Sequence, residues 1–93
     1  MAVIWQVEED QRGRWRDFPG YLQELAEALY MDWVAAGKIG ELVIQYNWPN
    51  AARTTWTPYD IIIKEEGGTI QMHQINDRTK GQRKVRRLYV ATA

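Results

Sequence analysis

Hydrophobic residues recur at every second position in several short segments of this chain, which is the spacing of half-buried β-strands. The first such segment contains Val3, Trp5 and Val7. Further strands are predicted at positions 14–18, 42–46, 59–64, 69–75 and 83–90. Residues 65–68 read Glu-Glu-Gly-Gly, the composition of a hairpin turn. We therefore expect about six strands, mostly antiparallel.

One segment has the period of an α-helix instead. Between residues 21 and 36, apolar residues recur at intervals of three and four positions, which places them on one face of a helix. These residues are Leu22, Leu25, Leu29, Trp33 and Ala36. Gly37 then follows, a residue that commonly ends helices. The sequence therefore predicts an α+β fold in which this leucine-rich face packs on a curved sheet.

Composition narrows the class of protein. The 93 residues suffice for a single domain spanning 1–93, and the 45% hydrophobic content with five tryptophans predicts a folded globule. The absence of cysteine excludes disulfides and thiolate metal ligands, and with His73 as the one histidine no metal site is expected. No apolar run approaches the ~20 residues of a membrane span, and no signal peptide is recognisable. We expect an intracellular protein, cytoplasmic or nuclear, without a membrane partner.

The formal net charge of zero conceals an uneven distribution. Residues 1–70 contain six basic and eleven acidic side chains, a net charge of −5, whereas residues 71–93 contain six basic and one acidic, a net charge of +5. Such separation favours a local field directed at an anionic partner over general affinity for nucleic acid. A basic strand that protects the edge of the sheet is the alternative.

The last two predicted strands suggest where an anion would bind. Gln74 shares a face with the apolar residues of strand 69–75, and Arg83 shares a face with those of strand 83–90. If the strands pair, the two side chains converge at the rim of an apolar concavity. An amide can read the edge of a base, and a guanidinium matches phosphate or carboxylate. Alternatively, a one-residue slip in register turns Gln74 to solvent, or Arg83 and Arg87 stack on aromatic rings.

The order and spacing of several motifs resemble those of the WWE domain family, from about residue 4 to residue 88. The carboxyl-terminal part of the match is the most specific, and its elements come in the family's order. The matching residues are Trp5, Trp15, Phe18, Glu27, the segment 72–76 (Met-His-Gln-Ile-Asn), Thr79, Gly81 and the segment 83–87 (Arg-Lys-Val-Arg-Arg).

This resemblance implies a half-barrel sheet around one helix, without catalysis or a cofactor. Several WWE domains recognise ADP-ribose or the iso-ADP-ribose unit of poly(ADP-ribose), often beside ubiquitin-ligase or ADP-ribosyltransferase domains. The family's glutamine and arginine correspond to Gln74 and Arg83, which would contact adenine and phosphate. The candidate ligand site comprises Gln74, Arg83, Arg87, Tyr59, Arg16 and Arg12.

The residues that give the family its name are assigned to structure. Trp5 and Trp15 are large and alternate with apolar neighbours, so we expect them in the core. Glu27 lies on the side of the helix opposite the leucines, and periodicity alone predicts that it faces solvent. The resemblance singles it out, and a structural hydrogen bond is the expected role.

The chain also departs from the family pattern. Val7 stands where poly(ADP-ribose)-binding members often carry an aromatic residue, and Lys80 separates Thr79 from Gly81. The tyrosine that the family places before the methionine–glutamine segment has Tyr59 as its best equivalent here.

Three other classes of function fit the sequence less well. The segment 47–58, predicted to be a loop, carries Trp48 and Trp56, which would form the contact surface of a protein–protein adaptor with a degenerate pocket. A nucleic-acid binder would use the basic strand with aromatic stacking, but the acidic remainder of the chain opposes it. An enzyme is not expected, because His73 has no nucleophile or carboxylate at motif spacing.

Overall fold

The computed structural model describes residues 2–91, which form six strands and one helix. The elements are β1 (Ala2–Glu8), β2 (Trp15–Asp17), α1 (Gly20–Ala35), β3 (Leu42–Pro49), β4 (Trp56–Glu66), β5 (Thr69–Asn76) and β6 (Gln82–Val90). The predicted α+β fold is confirmed, since the strands form one curled antiparallel half-barrel sheet packed on the helix. No helix within residues 2–91 is long and apolar enough to cross a membrane.

The sheet has the strand order β2-β1-β6-β5-β4-β3, and every pair of neighbours is antiparallel. The first and last strands of the chain are therefore neighbours in the middle of the sheet. Helix α1 contacts both β1 and β3, which lie towards opposite ends of the sheet. Consequently the helix covers part of the concave face and leaves the rest open.

The core lies between α1 and the concave face. Its fully buried side chains are Trp5 of β1, Ile44 of β3, Ile61 and Ile63 of β4, and Leu22 of the helix. The two on β4 are two residues apart, and buried Val7 and Tyr46 lie two residues after Trp5 and Ile44, because successive side chains in a strand point to opposite faces. The alternating pattern in the sequence therefore predicted the buried face correctly.

The predicted helix face was partly wrong. Leu22 and Trp33 are buried as expected, but the third buried position is Ala26, and Leu25 is exposed. Ala36, included in the predicted face, is the C-cap residue and is exposed. A small residue at the contact lets the helix approach the sheet closely, so the buried face is turned away from Leu25.

The expected loop at 47–58 is much shorter, because β3 continues to Pro49 and β4 begins at Trp56. The backbone N–H of Asn50 donates to Thr55 O (3.0 Å), and hydrogen-bonded pairs alternate along an antiparallel ladder. The pair Pro49–Trp56 is therefore a position without ladder hydrogen bonds, and so is Asn47–Pro58. Because proline has no backbone N–H to donate, it is tolerated at these two positions, where the β3–β4 ladder requires none. The prolines therefore suggested a loop in the sequence but do not interrupt the strands.

The two tryptophans expected in the core have different environments. Trp5 is fully buried, but Trp15 is only half-buried, so the prediction for Trp15 was wrong. Trp15 pairs with Glu8 rather than with Val7, which places it on the convex face of the sheet. There the guanidinium of Arg86 lies 4.1 Å from the centroid of its ring.

Candidate functional site

Gln74 and Arg83 are direct partners in the β5–β6 ladder, as the sequence predicted. Directly opposed residues in an antiparallel pair project from the same face of the sheet. Both side chains line the same open part of the concave face, beyond the end of the helix-covered core. The register that brings the amide and the guanidinium together is therefore present.

The amide of Gln74 is held in a fixed position. Its side chain is only 4% exposed, and Nε2 donates a hydrogen bond to the hydroxyl of Tyr46. Burial raises the pKa of Tyr46 well above its ordinary value, so this hydroxyl stays neutral and accepts the bond at any physiological pH. Gln74 nevertheless borders the cavity, so a fixed amide is presented to whatever enters.

Aromatic side chains form one wall of the site. Trp48 of β3 and Tyr59 of β4 line the cavity, with ring centroids 6.3 Å apart and an angle of 73° between the rings. Behind them, Phe18 packs on Trp48 at 5.5 Å and on Tyr46 at 5.8 Å. Val7 of β1 lines the same cavity. The site thus offers flat apolar surfaces to a planar group.

Two arginines of the site are paired with acids of the β1–β2 turn. Arg83 Nη2 donates to Asp10 Oδ1, and Arg16 Nε lies 3.3 Å from Glu9 Oε1. The guanidinium of Arg16 also lies 6.0 Å from the ring centroid of Trp48. Each of the two guanidinium groups is therefore held at the cavity by a carboxylate of the turn.

Two adjoining cavities meet at the Arg83–Asp10 ion pair. The first measures about 520 Å³ and lies on the Trp48 side of the pair. The second measures about 690 Å³ and extends toward Thr79 and Lys84. Residues that border both cavities are Glu9, Asp10, Tyr59, Gln74 and Arg83. The ion pair thus lies at the boundary between the two spaces.

Most of the predicted ligand residues come together here. Gln74, Arg83, Tyr59 and Arg16 line the first cavity, and Arg12 lines the second. Arg87 borders neither of them, so the structure does not bring it together with the other predicted ligand residues. Its side chain is directed at the helix, because Arg87 is the β6 partner of Trp5 on the core side of the sheet.

Arg87 instead forms a structural ion pair with Glu27. Arg87 Nε donates to Glu27 Oε1 at 2.7 Å and Nη2 donates to Oε2 at 2.6 Å, a bidentate arrangement. Trp5 Nε1 donates to the same Oε1 at 3.1 Å. Glu27 therefore has the structural hydrogen bonds expected of it, and it does not simply face solvent as periodicity alone predicted. The hydrogen bond from Arg87 lowers the pKa of Glu27, which keeps the carboxylate ionised.

The basic residues near the carboxyl end do not form one anion-binding patch. Of the four basic residues of β6, Arg83 and Lys84 border a cavity, Arg87 pairs with Glu27, and Arg86 stacks on Trp15 on the convex face. The predicted local field directed at an anionic partner stays a prediction, to which these charges contribute unequally. Alternation along one strand divides them between the two faces of the sheet.

Sequence reasoning missed three charged residues of the first cavity, Glu9, Asp10 and Arg14. Asp10 reaches Arg83 across 73 positions of sequence, so no local pattern could reveal the contact. Arg14 lines the first cavity, and its position two residues before Arg16 in a predicted strand was a usable signal.

Comparison of the chain with protein-family models, with curated proteins and with solved structures found no match in any of the three. What the arrangement can do must therefore be judged from its chemistry. A fixed amide, an aromatic wall and a guanidinium suit a ligand that has a planar polar ring and an anionic group.

Proposed function

We propose that this chain is a non-catalytic binding module that recognises ADP-ribose or iso-ADP-ribose units of poly(ADP-ribose). The observation that carries the proposal is the cross-strand pairing of Gln74 with Arg83 at one open cavity. The motif resemblance to the WWE family supports the choice of this ligand among nucleotides.

Gln74 and the aromatic wall would bind adenine. The amide of Gln74 is fixed by Tyr46, so no rotamer freedom is lost when it pairs with the edge of a base. The rings of Trp48 and Tyr59 supply surfaces on which a base can stack. A cavity of about 520 Å³ is in the range of ordinary small-molecule sites.

Arg83 would hold a phosphate of the ligand. A guanidinium forms two parallel hydrogen bonds with a phosphate, which gives both charge neutralisation and orientation. Arg83 lies one strand away from Gln74, so a base and an attached phosphate can be contacted together. Arg16 and Arg14 line the same cavity and add positive charge.

Isothermal titration calorimetry with ADP-ribose and iso-ADP-ribose tests the proposal. Replacing Arg83 with alanine should weaken binding by roughly 10- to 100-fold, because a charge-assisted hydrogen bond is worth about 1.5–3 kcal/mol. Arg86→Ala is the matched control, since it removes the same charge from the same strand on the convex face. If neither ligand nor the polymer binds the wild-type protein, the proposal is wrong.

A protein–protein adaptor with a degenerate pocket is the second candidate, and one observation favours it. Trp56 is 48% exposed, and tryptophan is one of the residue types enriched at the contacts that dominate protein–protein interfaces. Trp48 and Trp56 cannot share this surface, because Trp48 pairs with Thr57 and Trp56 therefore points to the other face of the sheet. A partner captured by wild type and by Arg83→Ala, but lost with Trp56→Ala, would support the adaptor.

A further inference from the structure

The β1–β2 turn carries two adjacent acids, Glu9 and Asp10, and both contact arginines of the cavity. We propose that this turn is an internal competitor for the ligand: the Asp10 carboxylate occupies the anion position on Arg83, and a phosphate-bearing ligand displaces it. This inference rests on the proposed function, because it concerns the occupancy of the same site.

Asp10 contributes little to the fold apart from this contact. Its side chain is 92% exposed, so no apolar packing holds it in place. The turn has its own backbone hydrogen bonds, from Glu9 N to Arg14 O at 2.8 Å and from Arg14 N to Gln11 O at 3.1 Å. Gly13 has a φ of +84°, which the tight reversal requires. The turn can therefore keep its shape when the carboxylate leaves Arg83.

Two carboxylates at successive positions resemble the charges of a diphosphate. Glu9 pairs with Arg16 and Asp10 pairs with Arg83, so both arginines carry an anion before any ligand arrives. Because the same two acids border both cavities, their displacement would also remove part of the boundary between the two spaces. Only an anionic group gains from replacing a carboxylate on a guanidinium, so a neutral nucleoside would leave the pairs intact.

The competition is expected to be weak enough for a ligand to overcome. An exposed ion pair changes an equilibrium constant by roughly 1.5- to fivefold. A bidentate phosphate contact with Arg83 is stronger than this, since charge-assisted pairs of that geometry are among the strongest hydrogen bonds in proteins. The turn thus lowers affinity for every anion at Arg83 by a constant factor without closing the site.

Replacing Asp10 with asparagine tests the inference. We expect ADP-ribose to bind roughly 1.5- to fivefold more tightly to Asp10→Asn than to wild type, with a similar gain for pyrophosphate. Adenosine, which has no charge, should bind both proteins equally. Asp32→Asn is the matched control, because it removes one negative charge from an exposed helix residue that borders neither cavity.

The possible outcomes separate this inference from the proposed function. If wild type binds ADP-ribose and Asp10→Asn binds it no more tightly, the proposal that Asp10 competes with the ligand is wrong, and the proposed function stands. An equal gain in affinity for adenosine, or an equal gain in ADP-ribose affinity with Asp32→Asn, also overturns the proposal that Asp10 competes with the ligand. If no protein binds ADP-ribose, both proposals fall.

Nitrogen-15 NMR of the Arg83 side chain gives a readout without ligand. The Arg83 Nε–H signal should shift on going from wild type to Asp10→Asn and stay unchanged in Asp32→Asn. An Arg83 signal that does not respond to Asp10 would show that the pair is not formed in solution, which overturns the inference independently of any ligand.

Discussion

Removing the carboxylate of Glu27 should destabilise the protein strongly, because it leaves Arg87 without its partner on the core side of the sheet. Glu27 accepts two hydrogen bonds from Arg87 and one from the indole of Trp5. Arg87 is only 11% exposed, so water can replace the carboxylate only in part. The perturbation is therefore Glu27→Ala, and the quantity to measure is the free energy of unfolding.

The size of the effect follows from the burial of the two partners. Removing one partner of a buried ion pair lowers the free energy of unfolding by about 3–5 kcal/mol, whereas a fully exposed pair contributes only about 0–1 kcal/mol. Glu27 is 29% exposed, which puts this pair nearer the buried case, and we expect a loss of about 2–3 kcal/mol. For a domain of this size, that corresponds to a fall of about 10–20 °C in the melting temperature.

Urea denaturation followed by tryptophan fluorescence measures the loss. Glu24→Ala is the matched control, since it makes the same substitution at an exposed position of the same helix and should change stability by less than about 0.5 kcal/mol. A loss for Glu27→Ala no larger than that of the control would refute the reasoning. Adding Arg87→Met to Glu27→Ala should recover stability, because the stranded charge is then removed.

Two further predictions concern the same contacts and the site. Because the pKa of Glu27 is lowered in the fold, its contribution is fully present above the unfolded-state pKa of about 4.3 and is lost as pH falls through the lower folded-state pKa. The stability difference between wild type and Glu27→Ala, measured in urea, should therefore be constant near neutral pH and shrink in acid, and a constant difference down to pH 3 would contradict this. Tyr46→Phe should cost about 1–2 kcal/mol of unfolding free energy, because the buried amide of Gln74 loses its acceptor. An unchanged urea midpoint would show that the amide finds another partner.

Local patterns predicted the strands and the pairing of β5 with β6. Alternation placed Gln74 and Arg83 on the inward faces of their strands, and the polar segment between the strands is short enough to make them partners. These features depend on residues close together in the chain. The side-chain period of a strand is two, so a correct register fixes every face at once.

Predictions that depended on distant elements were less successful. Leu25 fits the apolar period of the helix but is exposed, because the sheet contacts the helix face that includes Ala26. Arg87 matched a basic ligand residue, and its position opposite Trp5 instead directs it to Glu27. In both cases the residue type is compatible with the predicted role. The actual role depends on which element of the fold packs against the residue, and the local sequence does not show this.

The sequence by itself determined that this protein is an α+β domain with one helix, and that an amide and a guanidinium meet on one face of its last hairpin. The reason is that strand alternation and hairpin pairing are local. Only the tertiary structure decided which charges are free at that face, because Asp10 reaches Arg83, and Glu27 reaches Arg87, across 73 and 60 positions of the chain. Contacts of that kind depend on how the sheet curls around the helix, which no short stretch of sequence specifies.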